Sequence, residues 1–493
     1  MHTPDSAGVP SLLLFALLTC AGTCAAQADP ADHAQLVKLV EAHSADYVAT
    51  SRKIWEYAEL GFLEQKSSAL LQSDLKKAGF TIEAGVAGQP TAFVASYGQG
   101  KPVIGILGEF DALPGLSQDA SPVRKPIVVG GSGHACGHNL LGSGSALAVV
   151  ALKQYLEQHH LTGTLRYYGT PAEEGGGGKV FMVRAGLFKD VDAVLSWHPA
   201  DRNQVANGGM LAMSEAYFTF YGVAAHAAFA PDRGRSALDA VMLMGTGVEF
   251  MREHVPSSTR IHYIIDHGGD APNVVPAEAQ LDLVARSPYL ETLKGIWDRI
   301  DKIAQGAALM TGTTVKTEVI AAYANVLPND ALANLAQKDL EEVGGYRYTE
   351  AEKEFALKLQ TSLPPGGATA LESTEHVEAL KPFDPNAPSA SSDVGDVSWQ
   401  VPTMAFTTAT FVPGVVAHTW QAAATTGMSI GQNGMVIGAK TLALAGADLF
   451  TDPQLLAAAK ADFDRETKNK TYASMIPADQ APRLDYRKKA KAE

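Results

Sequence analysis

Between two glycine clusters the chain places three groups that bind metals or move protons: His134, Cys136 and His138, in GGSGHACGHNLLG from Gly130 to Gly142. Alternate positions of an extended segment point the same way, so these side chains are expected to converge. A thiolate and neutral imidazoles are good ligands for zinc and similar ions. The same residue types also build a cysteine nucleophile, with His134 or His138 as its base. Further groups gather just after strand-like runs: Glu109 and Asp111, then Glu173 and Glu174, then His198, with His418 later in the chain. Adjacent side chains leave the backbone in different directions, so Glu173 and Glu174 are expected to divide the work. One would bind metal. The other would face a water whose pKa a metal lowers to roughly 7 and would take its proton as attack begins. The nucleophile alternative leaves the glutamate pair and His198 without a task.

The three cysteines are Cys20, Cys24 and Cys136. The first two lie in SLLLFALLTCAGTCAAQA, an apolar run ending in small residues that reads as a signal peptide over residues 1–28, cleaved near Ala26 or Ala28. No Lys or Arg precedes Lys38, so the usual basic start is missing, and Leu17 to Cys20 also admits lipoprotein processing. Either route predicts a secreted or periplasmic protein that keeps only Cys136, with no internal disulfide. At 493 residues, 46% hydrophobic and 19% charged, the chain has the makings of a large core and two domains. No second run reads as a membrane span. The net charge of −14 argues against a nucleic-acid partner, because phosphate binding needs clustered Lys and Arg. The one basic cluster, Arg487 to Lys491, reads as a short solvated tail.

To bring such distant groups together the chain needs a sheet whose strand ends meet. Strand-like runs at Pro102 to Phe110, Thr164 to Thr170, Asp192 to Trp197 and Pro402 to Thr408 alternate with helical patterns, which favours an α/β fold. One such pattern is LLGSGSALAVVALKQYLEQ, with Asn139 placed to cap it. Open α/β sheets bind ligands at the carboxyl ends of their strands, so the polar groups after them are expected to share one cleft. Residues 209–325 read differently, as βαββαβ, the order of a small ferredoxin-like domain inserted between catalytic parts 29–208 and 326–455. A C-terminal helix and tail occupy 456–493, and a long Pro-rich stretch, 362–399, reads as a functional loop.

GEFDALPG, GHACGHNLLG, GTPAEEGGGGK, WHP, GVAAHAAFAPDRGRSALDA, NVVPAEA, SSDVGDVSW and AHTW, in this order, resemble the motifs of the M20 amidohydrolases and peptidases. They are most similar to the branch that contains the aminobenzoyl-glutamate hydrolases and related aminoacylases. The resemblance implies a mixed-sheet, zinc-peptidase-like catalytic domain, a smaller inserted lid that also forms a homodimer, and two divalent ions per subunit. Zinc or manganese is expected, with cobalt a further option. By motif, Cys136, His138, Glu174, His198 and His418 match metal ligands, with Cys136 as the bridge and Glu173 as general base. Asp111 matches an acid that orients ligands, and His134 matches no ligand. In the lid, His226 matches a histidine that steadies the developing oxyanion, and Asn273 and Arg286 match groups that hold a substrate carboxylate. Asn139 stands where many relatives carry Asp. The implied activity is hydrolysis of the amide of an N-acyl or N-aroyl amino acid or a dipeptide. A broader dipeptidase or carboxypeptidase, and a catalytically silent metal or peptide binder, are the alternatives.

Overall fold

Strand and helix alternate along the chain and close into two sheets. The computed structural model describes residues 32–387 and 389–487, so the expected leader and the last tail residues lie outside the described residues. In chain order the first strands are β1 (Thr81–Ala84), β2 (Phe93–Gln99), β3 (Val103–Glu109), β4 (Gly163–Thr170), β5 (Ala193–Ala200) and β6 (Gln204–Val205). Next come β7 (Ala212–Tyr221), β8 (Arg260–His267), β9 (Glu278–Ser287) and β10 (Thr314–Tyr323), and β11 (Thr403–Ala409) follows later.

Seven strands form the larger sheet, in the order β1-β2-β4-β3-β5-β11-β6. Its centre, β4-β3-β5-β11, is parallel. Parallel strands are covered on both faces and so read as continuous apolar runs; all of β3, VIGILGE, is buried. The helix His138–Gln158 packs closely on this sheet because it carries glycine at the contacts. A Cβ on Gly142 would stand 2.5 Å from the Glu109 carbonyl oxygen, and one on Gly144 2.8 Å from the Trp197 ring. Among the described residues, Ser429–Thr451 is long and apolar enough to cross a membrane by length and composition, a span the sequence pattern alone does not single out. Its most apolar window is 89% buried in the protein core.

The smaller sheet is antiparallel, in the order β10-β7-β9-β8. Burial along β9 alternates residue by residue, the pattern of a sheet with one packed face. Ala216, Phe218, Leu281 and Leu283 on that face meet Val241, Met244, Trp297 and Ile300 of helices Ala237–Arg252 and Leu290–Thr311. Two adjacent segments join the sheets, tied by the Val326 N–H donating to the Met210 carbonyl at 3.1 Å.

Three local expectations need correction. The segment around Cys136 is not a strand: Gly137 turns left-handed at φ 83° and His138 opens the helix. Asn139 does not cap that helix; its amide donates to the carbonyls of Ser51 and Thr426 at 3.3 and 3.2 Å, holding neighbouring segments instead. The start of the basic tail is not solvated, because Arg487 lines the main cleft.

Candidate active site

Five chain segments meet at the carboxyl edge of β3, β4, β5 and β11. Strand β3 ends at Glu109 with Asp111 just beyond, the turn after β4 carries Glu173 and Glu174, and β5 carries His198. The glycine turn into the helix supplies Cys136 and His138. The loop after β11 supplies His418, whose backbone N–H donates to the Ala135 carbonyl at 2.8 Å and so ties that loop to the cysteine segment. Cys136 Sγ lies 3.4 Å from His198 Nε2, and His418 Nε2 lies 3.1 Å from Glu174 Oε1. The donor atoms of Cys136, His138 and His198 all fall within 4.8 Å of one another, as do those of Cys136, Glu174 and His418. The thiol belongs to both groups.

The histidines are oriented from behind. His198 Nδ1 donates to the Pro199 carbonyl at 2.8 Å, leaving Nε2 as the lone-pair nitrogen facing the thiol, whereas His138 lies between two carboxylates, with Nδ1 2.8 Å from Asp111 Oδ1 and Nε2 3.2 Å from Glu109 Oε2. Burial pulls His138 down, but Cys136, Asp111 and Glu109 more than offset this and hold it well above its ordinary value. Asp111 also accepts from the Glu174 backbone N–H at 3.0 Å, so one carboxylate aligns two ligand segments and itself belongs to neither donor group. Among the described residues, His138 Nε2, Glu109 Oε2 and Glu174 Oε1 are buried without a well-aligned hydrogen bond, although the first two lie 3.2 Å from each other and the third 3.1 Å from His418 Nε2. Buried polar atoms left this way are costly, and a shared cation satisfies them. The donor set therefore fits two divalent ions.

Charge balance explains the rest. Lys179, fully buried at the start of helix Gly178–Arg184, places Nζ 2.6 Å from Glu109 and 2.8 Å from Asp393. Burial pulls the ammonium down, but Asp393 and Glu109 more than offset this and hold it above its ordinary value. Glu173 is pushed well up by burial and by the negative charge of Glu109, Glu174 and Asp393. Burial, then Glu174, pushes the Cys136 thiol up, so a thiolate there depends on a neighbouring cation. Burial, then His138, lowers His198 and keeps its imidazole neutral, the form that ligates metal.

These groups line a cleft of about 660 Å³, with Met210, Met213, Val326, Met404 and Phe406 on its apolar walls. That is the size of a small-molecule site. Arg286, on β9, also lines it, and among the described residues its guanidinium makes no hydrogen bond or close ion pair, although its charge reaches Glu215 on the same cleft. His226 and Asn273 do not line it. Both are exposed on the smaller domain; His226 Nδ1 accepts from the backbone N–H groups of Ala228 and Phe229, which leaves the proton on Nε2. His134 turns away, with Nε2 3.0 Å from the Ile54 carbonyl, and burial lowers its pKa to about 3, so it offers Cys136 no base. Lys179, Asp393, Tyr486 and Arg487 were not among the expected site residues. The lysine closing GGGGK and the aspartate in SSDVGDVSW were visible as motif residues, whereas nothing in the tail's composition pointed to the cleft.

Residues 105–443 match the sequence pattern of peptidase family M20/M25/M40. The chain belongs to this family. One of the two p-aminobenzoyl-glutamate hydrolase subunits of Escherichia coli is 42% identical over 466 residues, 90% of this chain and 97% of that protein. The Xaa-Arg dipeptidase of Mus musculus is 30% identical over 84% of this chain and 88% of its own length. The fold is similar to the aminobenzoyl-glutamate utilization protein from Klebsiella pneumoniae, with a TM-score of 0.59, 19% identity, and coverage of 84% of this chain and 98% of that one. It is also similar to a dinuclear metal-binding M20 peptidase from Bacillus subtilis, with a TM-score of 0.57, 16% identity, and coverage of 83% and 99%. This M20 chain is a metal-dependent hydrolase of mixed α/β fold.

Proposed function

We propose that this M20 hydrolase cleaves the amide bond of N-acyl or N-aroyl amino acids, using two divalent ions per subunit. The observation that carries this reading is Cys136 shared by two groups of metal donors, with Glu173 beside them in the cleft, not grouped with the thiol but within 4.8 Å of donor atoms of Glu109 and His138. Ions held by Cys136, His138 and His198 and by Cys136, Glu174 and His418 would lower the pKa of water and polarise a carbonyl. Glu173 takes the proton of the attacking water and passes it to the leaving amine. Asp111 holds His138 and the Glu174 backbone in line. Arg286, without a close ion-pair partner on the cleft wall, suits the carboxylate of the amino-acid half.

The smaller domain has the element order βαββαβ and the strand order β10-β7-β9-β8, which support a ferredoxin-like lid. Its exposed apolar residues, Phe250 (67%), Ile264 (61%) and Leu309 (84%), support a homodimer formed through it. His226, with its Nε2 proton free, and Asn273 would then serve the cleft of a second copy; light scattering showing only monomers would overturn this. Export rests on the apolar N-terminal run, and mass spectrometry of the native protein finding Met1 retained would refute it. The names of the relatives support acyl-amino acids first and dipeptides second. The test is a hydrolysis screen of both classes with zinc, manganese and cobalt in turn. Chelation should abolish turnover and metal should restore it; turnover that survives full chelation would overturn the reading and return Cys136 to the role of nucleophile.

A further inference from the structure

We infer that the C-terminal segment after helix Pro453–Thr467 is a positioning arm for the catalytic turn, with Tyr486 and Arg487 fixing Glu173 and Glu174 through the Glu174 carbonyl. The arm is pinned along its length. Tyr472 donates to Asp396 at 2.6 Å, and Ile476 is buried against Phe181, Met213 and Tyr323. The Gln480 amide donates to the Val319 carbonyl of β10 at 3.1 Å. At its tip the Tyr486 hydroxyl and Arg487 Nη2 both donate to the Glu174 carbonyl oxygen, at 2.9 and 2.6 Å. The arginine lies over the tyrosine ring, 4.8 Å from its centroid, and the ring meets Phe62 edge-on.

A second part of the chain is shaped to admit this tip. A Cβ on Gly61 would collide with the Tyr486 hydroxyl as well as with Ala172, so the tyrosine passes where any larger residue would put its side chain. The turn it reaches has reason to need holding. Ala172 before the glutamate pair and Gly175 after it are both left-handed, at φ 56° and 90°, a strained state for the alanine and a permissive one for the glycine. Among the described residues, two other bonds reach the pair's backbone from outside the turn: Glu174 N–H to Asp111 at 3.0 Å, and the Tyr323 hydroxyl to the Glu173 carbonyl at 3.2 Å. The tip supplies the remaining anchor, on the side of the pair that a run of glycines leaves free. Because two donors share one acceptor, loss of either alone is expected to be mild and loss of both severe.

The test uses the full-length chain with Tyr486→Phe, Arg487→Ala and the double substitution, together with a chain ending at Asp485; all keep Tyr472, Ile476 and Gln480. The turnover measurement rests on the proposed amidohydrolase activity, and the metal measurement does not. In the double variant and the shortened chain, kcat should fall about 10-fold to 100-fold and one of the two ions should be given up to a chelator at correspondingly lower concentration, the usual effect of removing a group that orients a ligand. KM should stay within about 3-fold, and apo-protein melting should not change. Full kcat with unchanged metal retention would overturn the inference. So would a raised KM with kcat intact, which makes Arg487 a substrate-binding group, or a fall in kcat matched by a fall in apo melting, which makes the arm merely structural. If the parent chain hydrolyses no acyl-amino acid or dipeptide, the proposed function fails, and metal retention still decides the role of the arm.

Discussion

The fold holds two gatherings of histidine and carboxylate, and their histidines are treated differently. At the sheet edge, His198 has Nδ1 on the Pro199 carbonyl and Nε2 facing the Cys136 thiol, while His138 has Asp111 on Nδ1 at 2.8 Å and Glu109 on Nε2 at 3.2 Å, with the thiol beside it. At the seam between helices His33–Tyr57, Asp330–Val343 and Ser429–Thr451, His33 spends both nitrogens, on Glu342 at 2.8 Å and on Asp448 at 2.9 Å. Lys338 adds a cation 2.9 Å from Asp448 and 3.6 Å from Asp339. The hydrogen bond to Asp448 outweighs burial and, with Glu342, pushes the His33 pKa up to about 9, so this imidazole already is the cation of its cluster. Burial pushes Asp339 up to about 7. Donor type alone does not make a metal site. What sets the sheet edge apart is Cys136, whose sulfur lies within 4.8 Å of donor nitrogens of both His138 and His198.

The comparison breaks most visibly at the glutamate pair. Glu173→Gln should keep both ions and lose kcat by about 10²-fold to 10⁴-fold, the usual contribution of a positioned base. Glu174→Gln should instead give up a metal, since it removes a charged oxygen donor. Metal analysis and turnover on the same two preparations check this, and metal loss confined to Glu173→Gln would mean the roles are reversed. Next in size is Lys179→Met, which leaves Asp393 buried without its cation and Glu109 with His138 alone; denaturant unfolding should show a loss of about 3–5 kcal/mol. The smallest effect sharpens the other cluster. His33→Gln should cost about 1 kcal/mol or less, as for a partly exposed pair, with no change in bound metal. Because the folded pKa is raised, the contribution of His33 is fully present below about 6.5 and is lost as pH rises through about 9. The melting gap between variant and parent should therefore close across that window, and a gap that is constant from pH 6 to 10 would show that the charge of His33 contributes nothing.

Much of the cleft was legible because its chemistry is carried by unusual residues at strand ends. Glu109, Glu173, Glu174 and His198 lie at the ends of runs whose apolar character marks buried parallel strands, and β3, β4, β5 and β11 form within one to three residues of those runs. The four strands and two helices of the smaller sheet were legible because they have two clean periodicities. The even spacing of His134, Cys136 and His138 misled, since Gly137 breaks the strand that the spacing presumes. Lys179 and Asp393 stand in visible motifs, but their pairing was hidden because it joins residues 214 positions apart. Tyr486 and Arg487 were hidden for another reason: a basic, irregular tail looks the same whether it is solvated or packed, and only the space at Gly61 records where it goes.

The way the arm crosses from one sheet to the other has a mechanical consequence. Two adjacent segments of chain connect the sheets beside Met210 and Val326. The arm attaches to the smaller sheet at Val319, four residues along β10 from its end at Tyr323, a span on the order of 14 Å. Tyr323 itself bonds the Glu173 carbonyl, so the two ends of that span reach the same turn by separate routes, one directly and one through the arm. A displacement of β10 would therefore load the backbone of the glutamate pair at two points, not one.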